Sequence, residues 1–255
     1  FTAVRVKDAI CDQLREKRGV RPDVQQKRPD VLIDVALRNE KATVAIDFSG
    51  EALHRRGYRE DRKQSEAPLK ENLAAGILLA SDWENIAHAG GSFIDPLCGS
   101  GTLVIEAAMI AADQAPGIMR DYWGFTGWGG FNRTAWENLL DEADERAAKG
   151  LATLPHIAGG DIDEACIALA QENAKRAGLA NHIEFQVLDA AHLGRLVLQR
   201  KGSGLVATNP PYGERLLSEA QLPALYASLA QGLDMLESGW QLAVITPDES
   251  IDITL

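Results

Sequence analysis

From Ser92 onward one pattern repeats: a short apolar run, a loop, then a longer amphipathic stretch. SFIDPL leads through CGSG into TLVIEAAMIAADQA, and HIAGGDID leads into EACIALAQENAKRAG. HIEFQVLDA follows, then GLVATNPPYG, the stretch LPALYASLAQGLDML and finally WQLAVIT. The apolar runs have strand length, and the amphipathic stretches carry helical spacing. Two parallel neighbours need a crossover between them, so this alternation implies a parallel sheet covered by helices on both faces. The pattern predicts an α/β domain and leaves the order of its strands open.

The preceding residues read differently. Val4, Val6, Ile10 and Leu14 predict a short strand running into an amphipathic helix that reaches Arg18. VLIDVALRNEKATVAIDFSG alternates apolar and polar residues and predicts two strands around a turn near Arg38–Lys41. EALHRRGYREDRKQSEAP is polar, with five Lys or Arg between His54 and Gln64, and reads as a linker. Pro68 then opens a helix over PLKENLAAGILLASDW. The expected domains are residues 1–60, a small segment with its linker, and residues 61–255, the α/β domain. Inside the latter, DYWGFTGWGGFNRTAWENLLDEADERAAKG holds three of the five Trp and then an acidic helix. It predicts an insertion that packs on the domain or forms part of a substrate wall.

A net charge of −11 hides an asymmetry. Residues 1–70 carry 16 Lys and Arg against 12 Asp and Glu, and residues 71–255 carry 10 against 25. A mildly basic module joined to an acidic one predicts that any phosphate contacts fall to the first, an ordinary solvated surface being the alternative. No apolar run has the length of a bilayer span and no signal peptide precedes Phe1, so a cytoplasmic protein without a membrane partner is expected. The missing initiator Met predicts a piece of a longer protein. Cys11, Cys98 and Cys166 are odd in number and far apart, which fits neither a disulfide framework nor a zinc pattern.

Two loops concentrate the chemistry. Asp95-Pro96-Leu97-Cys98-Gly99-Ser100-Gly101-Thr102 follows an apolar strand and opens a helix. Its glycines let the backbone approach a bulky ligand, and the helix start offers unpaired N–H groups. It matches neither the dinucleotide fingerprint nor the phosphate loop, which disfavours a nicotinamide cofactor and ATP. Asp161 and Asp189 close the next two strands, where a carboxylate can accept from ribose hydroxyls or from an adenine amino group. After the fourth strand comes Asn209-Pro210-Pro211-Tyr212. Its prolines remove two N–H donors, Asn209 adds a side-chain acceptor and Tyr212 a flat face. That combination suits a planar group bearing an exocyclic amine, held by acceptors and stacked on the ring. A proline turn is the bland alternative.

DPLCGSGT together with NPPYGERL resembles the Rossmann-type methyltransferases that act on amino groups, and GDID, LDA and APLKENLAAGIL resemble that family's other cofactor motifs. More narrowly, DFSGEALHRRGYR followed by APLKENLA resembles the bacterial THUMP-containing large-subunit ribosomal RNA guanine-N2 methyltransferases. The resemblance implies a Rossmann-like class I methyltransferase domain over residues 61–255, its C-terminal strands incomplete, preceded over residues 1–60 by part of a small α+β THUMP domain that binds RNA. It implies S-adenosylmethionine as cofactor and ribosomal RNA as partner, and leaves the oligomeric state open. It assigns Asp95, Pro96, Gly99, Gly101, Thr102, Asp161, Ile162 and Asp189 to the cofactor, and Asn209, Pro210, Pro211 and Tyr212 to the target amine. Asp95 and Asp161 stand far apart for a compact strand–helix–strand unit, and the Trp-rich insertion accounts for the spacing. The rival readings are an adenine-N6 methyltransferase on DNA or RNA, a protein-glutamine methyltransferase and a non-catalytic RNA-binding assembly factor.

The remaining residues read more plainly. His54, His88, His156, His182 and His192 show no metal spacing, and no metal is expected. Arg55, Arg56, Arg59 and Arg62 are candidates for phosphate contacts or a solvated linker. Cys98 reads as a small packing residue.

Overall fold

The computed structural model describes residues 2–59, 69–197, 202–211, 222–236 and 238–245. The chain divides into two compact units, residues 1–53 with 120–137, and residues 54–119 with 138–255.

In the first unit, α1 covers Thr2–Arg18, so the strand expected at its start is helix instead. Val6, Ile10 and Leu14 fall four apart and, with Cys11, form its less exposed side. That spacing outweighs the β preference of the valines. Gly19, at φ 76°, ends the helix, its N–H donating to the Arg15 carbonyl at 2.8 Å. β1 (Leu32–Arg38) and β2 (Lys41–Asp47) form the expected antiparallel hairpin, with Arg38 opposite Lys41. Asn39 and Glu40 both take positive φ, as a two-residue primed turn requires.

Residues 120–137 also belong to this unit, not to the α/β domain on which the Trp-rich insertion was expected to pack. The Tyr122 hydroxyl donates to the Pro29 carbonyl at 2.6 Å, and Arg120 donates to the Ser49 and Glu51 carbonyls at 3.1 and 2.9 Å. Trp128 packs edge-on to Phe48. Glycine makes the approach possible, since a Cβ on Gly127 would lie 2.6 Å from the Asp30 backbone.

The second unit holds five strands, β3 (Ser92–Asp95), β4 (Ile157–Asp161), β5 (Glu184–Val187), β6 (Gly204–Thr208) and β7 (Trp240–Val244). All are parallel, in the order β5-β4-β3-β6-β7. Its helices are α2 (Glu71–Ala80), α3 (Trp83–His88), α4 (Thr102–Ala111), α6 (Glu164–Arg176) and α7 (Leu222–Leu233), while α5 (Arg133–Leu151) runs across the division between the units. The chain steps outward from β3 to β4 and β5, then crosses back to β6 and β7. Such a reversal opens a crevice at the carboxyl ends of the strands. Alternate residues feed two cores. Phe93, Ile157 and Leu205 face one with Leu78, Trp83 and Leu103, whereas Ile94, Ala158 and Val206 face the other with Leu193, Leu196 and Leu229.

α4 is buried from Thr102 through Met109, as expected of a central helix that is apolar almost all round. Glu106 is the exception, and it explains residues 54–59. A buried carboxylate needs charge and hydrogen-bond partners. Arg56 Nη2 lies 3.1 Å from Glu106 Oε2, and the Tyr58 hydroxyl donates to Oε1 at 3.1 Å. Tyr58 is wholly buried. The stretch that reads as a solvated linker is therefore a strap built into the core, and its polar residues satisfy a buried charge. Arg62 and Pro68 lie outside the described residues.

Candidate active site

A cavity of about 550 Å³ opens at the carboxyl ends of β3, β4, β5 and β6, within the range of small-molecule sites. Asp95, Gly99 and Thr102 line it from the loop after β3, Asp161 and Ile162 from the end of β4, and Asp189 from the turn after β5. Asn209 and Pro211 line it from the loop after β6. These sequence-predicted residues thus meet in one place although they are spread over more than a hundred positions. Pro96, Gly101 and Pro210 are not among the lining residues, and Tyr212 lies outside the described residues.

The loop after β3 is held from three sides. Asp95 Oδ1 accepts from the Leu97 N–H at 3.1 Å, which folds the turn back on its own strand end. The Cys98 N–H donates to the Gly160 carbonyl at 2.8 Å, and the Gly99 N–H donates to Asp161 Oδ2 at 2.9 Å. α6 closes the third side, where Asn173 Nδ2 donates to the Ser100 carbonyl at 3.0 Å. The two glycines have separate duties. Gly99, at φ 52°, has open space where a Cβ would stand, so a ligand can approach its backbone. Gly101, at φ 82°, would place a Cβ 3.0 Å from that of Ala170, so it lets the loop close against α6.

The carboxylates keep acceptor capacity for a ligand. Asp161 accepts from Gly99 and, through Oδ1, from the Asp163 N–H at 2.9 Å. Asp189 Oδ1 caps the following turn by accepting from the Ala191 N–H at 2.9 Å. Each oxygen has two lone pairs, so neither group is saturated. Burial pushes the Asp95 carboxyl up to about 7, against the Leu97 hydrogen bond and with the charge of Asp161 adding to the rise. Burial also raises Asp161, opposed by its backbone N–H partners. Asp163 completes four aspartates in the lining, which includes no Lys or Arg among the described residues. The lining suits a ligand rich in positive charge, amines and hydroxyls, and opposes one carrying phosphates.

At the end of β6, Asn209 Oδ1 is buried with no hydrogen-bond partner among the described residues. An orphaned acceptor typically costs about 1–3 kcal/mol until something donates to it. Cys98 is buried, which pushes its thiol well up, and it also lines the cavity. Three contributions escaped the sequence reading. Asp163, which caps α6 through the Ala165 N–H, was visible in GDID but not singled out. The α7 wall, with Leu225 and Ser228, carries no local signal. Arg59 reads in sequence as a phosphate contact or part of a solvated linker, yet its Nη2 donates to Thr102 Oγ1. Among the described residues no group of three His, Cys, Asp or Glu is placed to hold a metal, and no helix is long and apolar enough to cross a membrane.

Comparison with known proteins agrees with this arrangement. Residues 56–253 match the RMKL-like methyltransferase domain family, and residues 1–47 match the THUMP domain. Ribosomal RNA large subunit methyltransferase K/L from Syntrophotalea carbinolica is 48% identical over 96% of this chain, and its counterpart from Methylococcus capsulatus is also 48% identical. The chain spans about a third of the length of these relatives, 34% and 32% respectively. A Listeria monocytogenes protein described as a predicted N6-adenine-specific DNA methylase superposes over 96% of this chain and 60% of its own, with a TM-score of 0.79 and 34% identity. SMU.472, solved in complex with SAH, covers 95% of this chain and 60% of its own at a TM-score of 0.77 and 34% identity. The α/β unit is a Rossmann-like methyltransferase fold, and the chain belongs to the RMKL-like methyltransferase domain family, with a THUMP domain at its N-terminus.

Proposed function

We propose that this chain binds S-adenosylmethionine in the cavity and directs methylation of the exocyclic N2 amine of a guanine in large-subunit ribosomal RNA. The observation that carries the reading is the buried Asn209 Oδ1, without a partner among the described residues, in the same cavity as the carboxylates of Asp95, Asp161 and Asp189. An acceptor stranded there fits an amine brought in from outside. The four aspartates fit a cationic, hydroxyl-bearing cofactor better than a nucleotide polyphosphate. When bound, that cofactor supplies an electrophilic methyl group on a sulfonium.

The residues of the chain do the rest. Asp161 accepts from ribose hydroxyls with the lone pairs that Gly99 and Asp163 leave free, and Asp189 accepts from the adenine amino group. Asn209 Oδ1 and a backbone carbonyl of the proline pair accept the two hydrogens of the target amine. Acceptors at both hydrogens favour a pyramidal nitrogen and stabilise positive charge developing on it. No strong base is needed, because the proton becomes acidic only once the nitrogen is alkylated. Tyr212, outside the described residues, is the residue the resemblance assigns to stacking on the extruded base.

Ribosomal RNA is favoured as substrate by the names of the 48%-identical relatives, and guanine over adenine by the resemblance of DFSGEALHRRGYR and APLKENLA to the guanine-N2 enzymes. The Listeria neighbour's description supports adenine as the second reading. Calorimetric titration of the full chain with S-adenosylhomocysteine, NAD and ATP tests the cofactor. The first alone binds on this account, and binding of NAD or ATP instead overturns it. Nucleoside analysis of methylated large-subunit RNA tests the base. N2-methylguanosine is expected, and N6-methyladenosine would keep the mechanism and reverse the choice of substrate.

A further inference from the structure

Trp128 of the Trp-rich insertion is 49% exposed, and Phe48 beside it is 42% exposed. The two rings meet edge to face with centres 5.3 Å apart. We infer that Trp128, held by Phe48 and by its own glycine-rich loop, is a stacking platform for an unpaired base of an RNA substrate. This rests on the RNA reading above and adds a base contact that lies outside residues 1–47, which match the THUMP domain.

A single exposed apolar side chain is ordinary. Trp128 differs because it is fixed as well as open. Its N–H donates to the Phe125 carbonyl at 3.1 Å, and its carbonyl accepts from the Phe131 N–H at 2.9 Å. Phe125 and Phe131 belong in turn to a cluster with Trp123 and Trp136, in which neighbouring ring centres lie 4.9 to 5.8 Å apart. The Phe125 N–H donates to the Phe48 carbonyl at 3.1 Å, which ties the loop to the end of the hairpin. The indole itself lies over Gly130, where a Cβ would stand 2.9 Å from its six-membered ring. All these residues belong to the first unit. A ring held this way has little freedom left to lose when a flat partner covers it.

The surroundings select the partner. From Gly124 to Asn132 the loop carries no charged residue, so it does not repel a phosphate chain as an acidic rim would. Gly129 has open space where a Cβ would stand, which leaves room next to the indole in the chain. Asp47, adjacent to Phe48, is turned into its own loop, where it accepts from the Ser49 N–H at 2.8 Å. Arg133 has a side chain 79% exposed, and its pair with Glu137 at 4.0 Å is a solvated one of little worth, so its charge remains available to a phosphate. Every base has a π face, so a platform of this kind accepts any of them. Val44 and Ile46 are exposed on the side of β2 that Phe48 extends, which makes a second copy of the chain the rival occupant.

The test uses the full chain and two probes about ten nucleotides long, oligouridylate and the same ribose-phosphate chain without bases. Fluorescence anisotropy of an end label reads binding across a salt series, for wild type, Trp128→Ala, Trp128→Leu and Trp128→Tyr, each checked for folding by its melting transition. Wild type should prefer the base-bearing probe. Trp128→Ala and Trp128→Leu should lose about 5-fold to 150-fold of that affinity, the range for one stacked base. Abasic binding and the salt slope should not change, because stacking releases no counterions. Trp128→Tyr should keep most of the preference, and S-adenosylhomocysteine should bind every variant as it binds wild type. If Trp128→Ala does not fold, Trp128→Leu carries the comparison, since it keeps an apolar group against Phe48. Equal weakening of both probes would mean that Trp128 only shapes the loop, and undiminished binding by folded Trp128→Leu would mean that no base stacks there. Either result overturns the inference alone. So does sedimentation of wild type as a dimer and of Trp128→Leu as a monomer, which would give the surface to a second copy. Failure of folded wild type to bind either probe would overturn the RNA reading itself.

Discussion

Asp95 ends β3 almost wholly buried, and burial raises its carboxyl to about 7 from an ordinary value of about 3.9. The folded chain therefore keeps a proton there that the unfolded chain releases above about pH 4. On this count folding is favoured at low pH, loses stability as pH rises toward 7, and levels off above it. Binding of a cationic ligand has the opposite sign, because it needs the carboxylate and strengthens up to about pH 7. Asp95→Asn keeps an acceptor for the Leu97 N–H but carries no charge. It should raise the melting temperature of the ligand-free chain at pH 8, flatten its pH dependence, and weaken S-adenosylhomocysteine binding. Thermal melts from pH 5 to 8 with parallel calorimetry check this, and a variant melting lower than wild type at pH 8 would contradict it. The carboxylates were legible in sequence because each closes an apolar run. Arg59 was not, because a cation in a polar stretch looks the same whether it meets solvent or a buried threonine.

The elements were legible wherever the hydrophobic period was clean. Every strand of the sheet, the hairpin β1–β2 and helices α4, α6 and α7 lie where alternation or helical spacing put them. The reading failed where the signal was local and the cause distant. The start of α1 looked like a strand because Val4 and Val6 are two apart, and only the run Val6, Ile10, Leu14 shows the helical face. Residues 54–59 looked like a linker because the carboxylate they satisfy is Glu106, fifty positions beyond Arg56. That pairing makes a prediction about the strap. Glu106→Leu leaves Arg56 buried without its carboxylate and should cost about 3–5 kcal/mol in denaturant unfolding, whereas Arg56→Met combined with Glu106→Leu should recover much of the loss. A Glu106→Leu chain as stable as wild type would show that the strap does not hold the core. Removing residues 1–53 should likewise spare the α/β unit more than removing 1–60.

At the scale of the molecule, the division into units redistributes the charge. Residues 1–53 with 120–137 carry 12 Lys and Arg against 11 Asp and Glu, so the THUMP-containing unit is nearly neutral. Much of the apparent basicity of residues 1–70 sits in 54–63, where Arg56 and Arg59 are buried. On the proposed function, RNA contacts fall to exposed groups such as Lys17 and Arg18 at the end of α1. Replacing both with Ala should reduce the slope of log affinity against log salt by about one unit per contact and leave S-adenosylhomocysteine binding unchanged. An unaltered slope would remove α1 from the RNA interface. On the proposed function, Asn209 presents an acceptor to a base amine. Single-turnover transfer of a labelled methyl group to large-subunit ribosomal RNA, comparing wild type with Asn209→Ala, tests it most directly. The expected result is a rate reduced about 100-fold to 1000-fold with cofactor affinity near normal. Wild-type turnover by the variant would contradict the account.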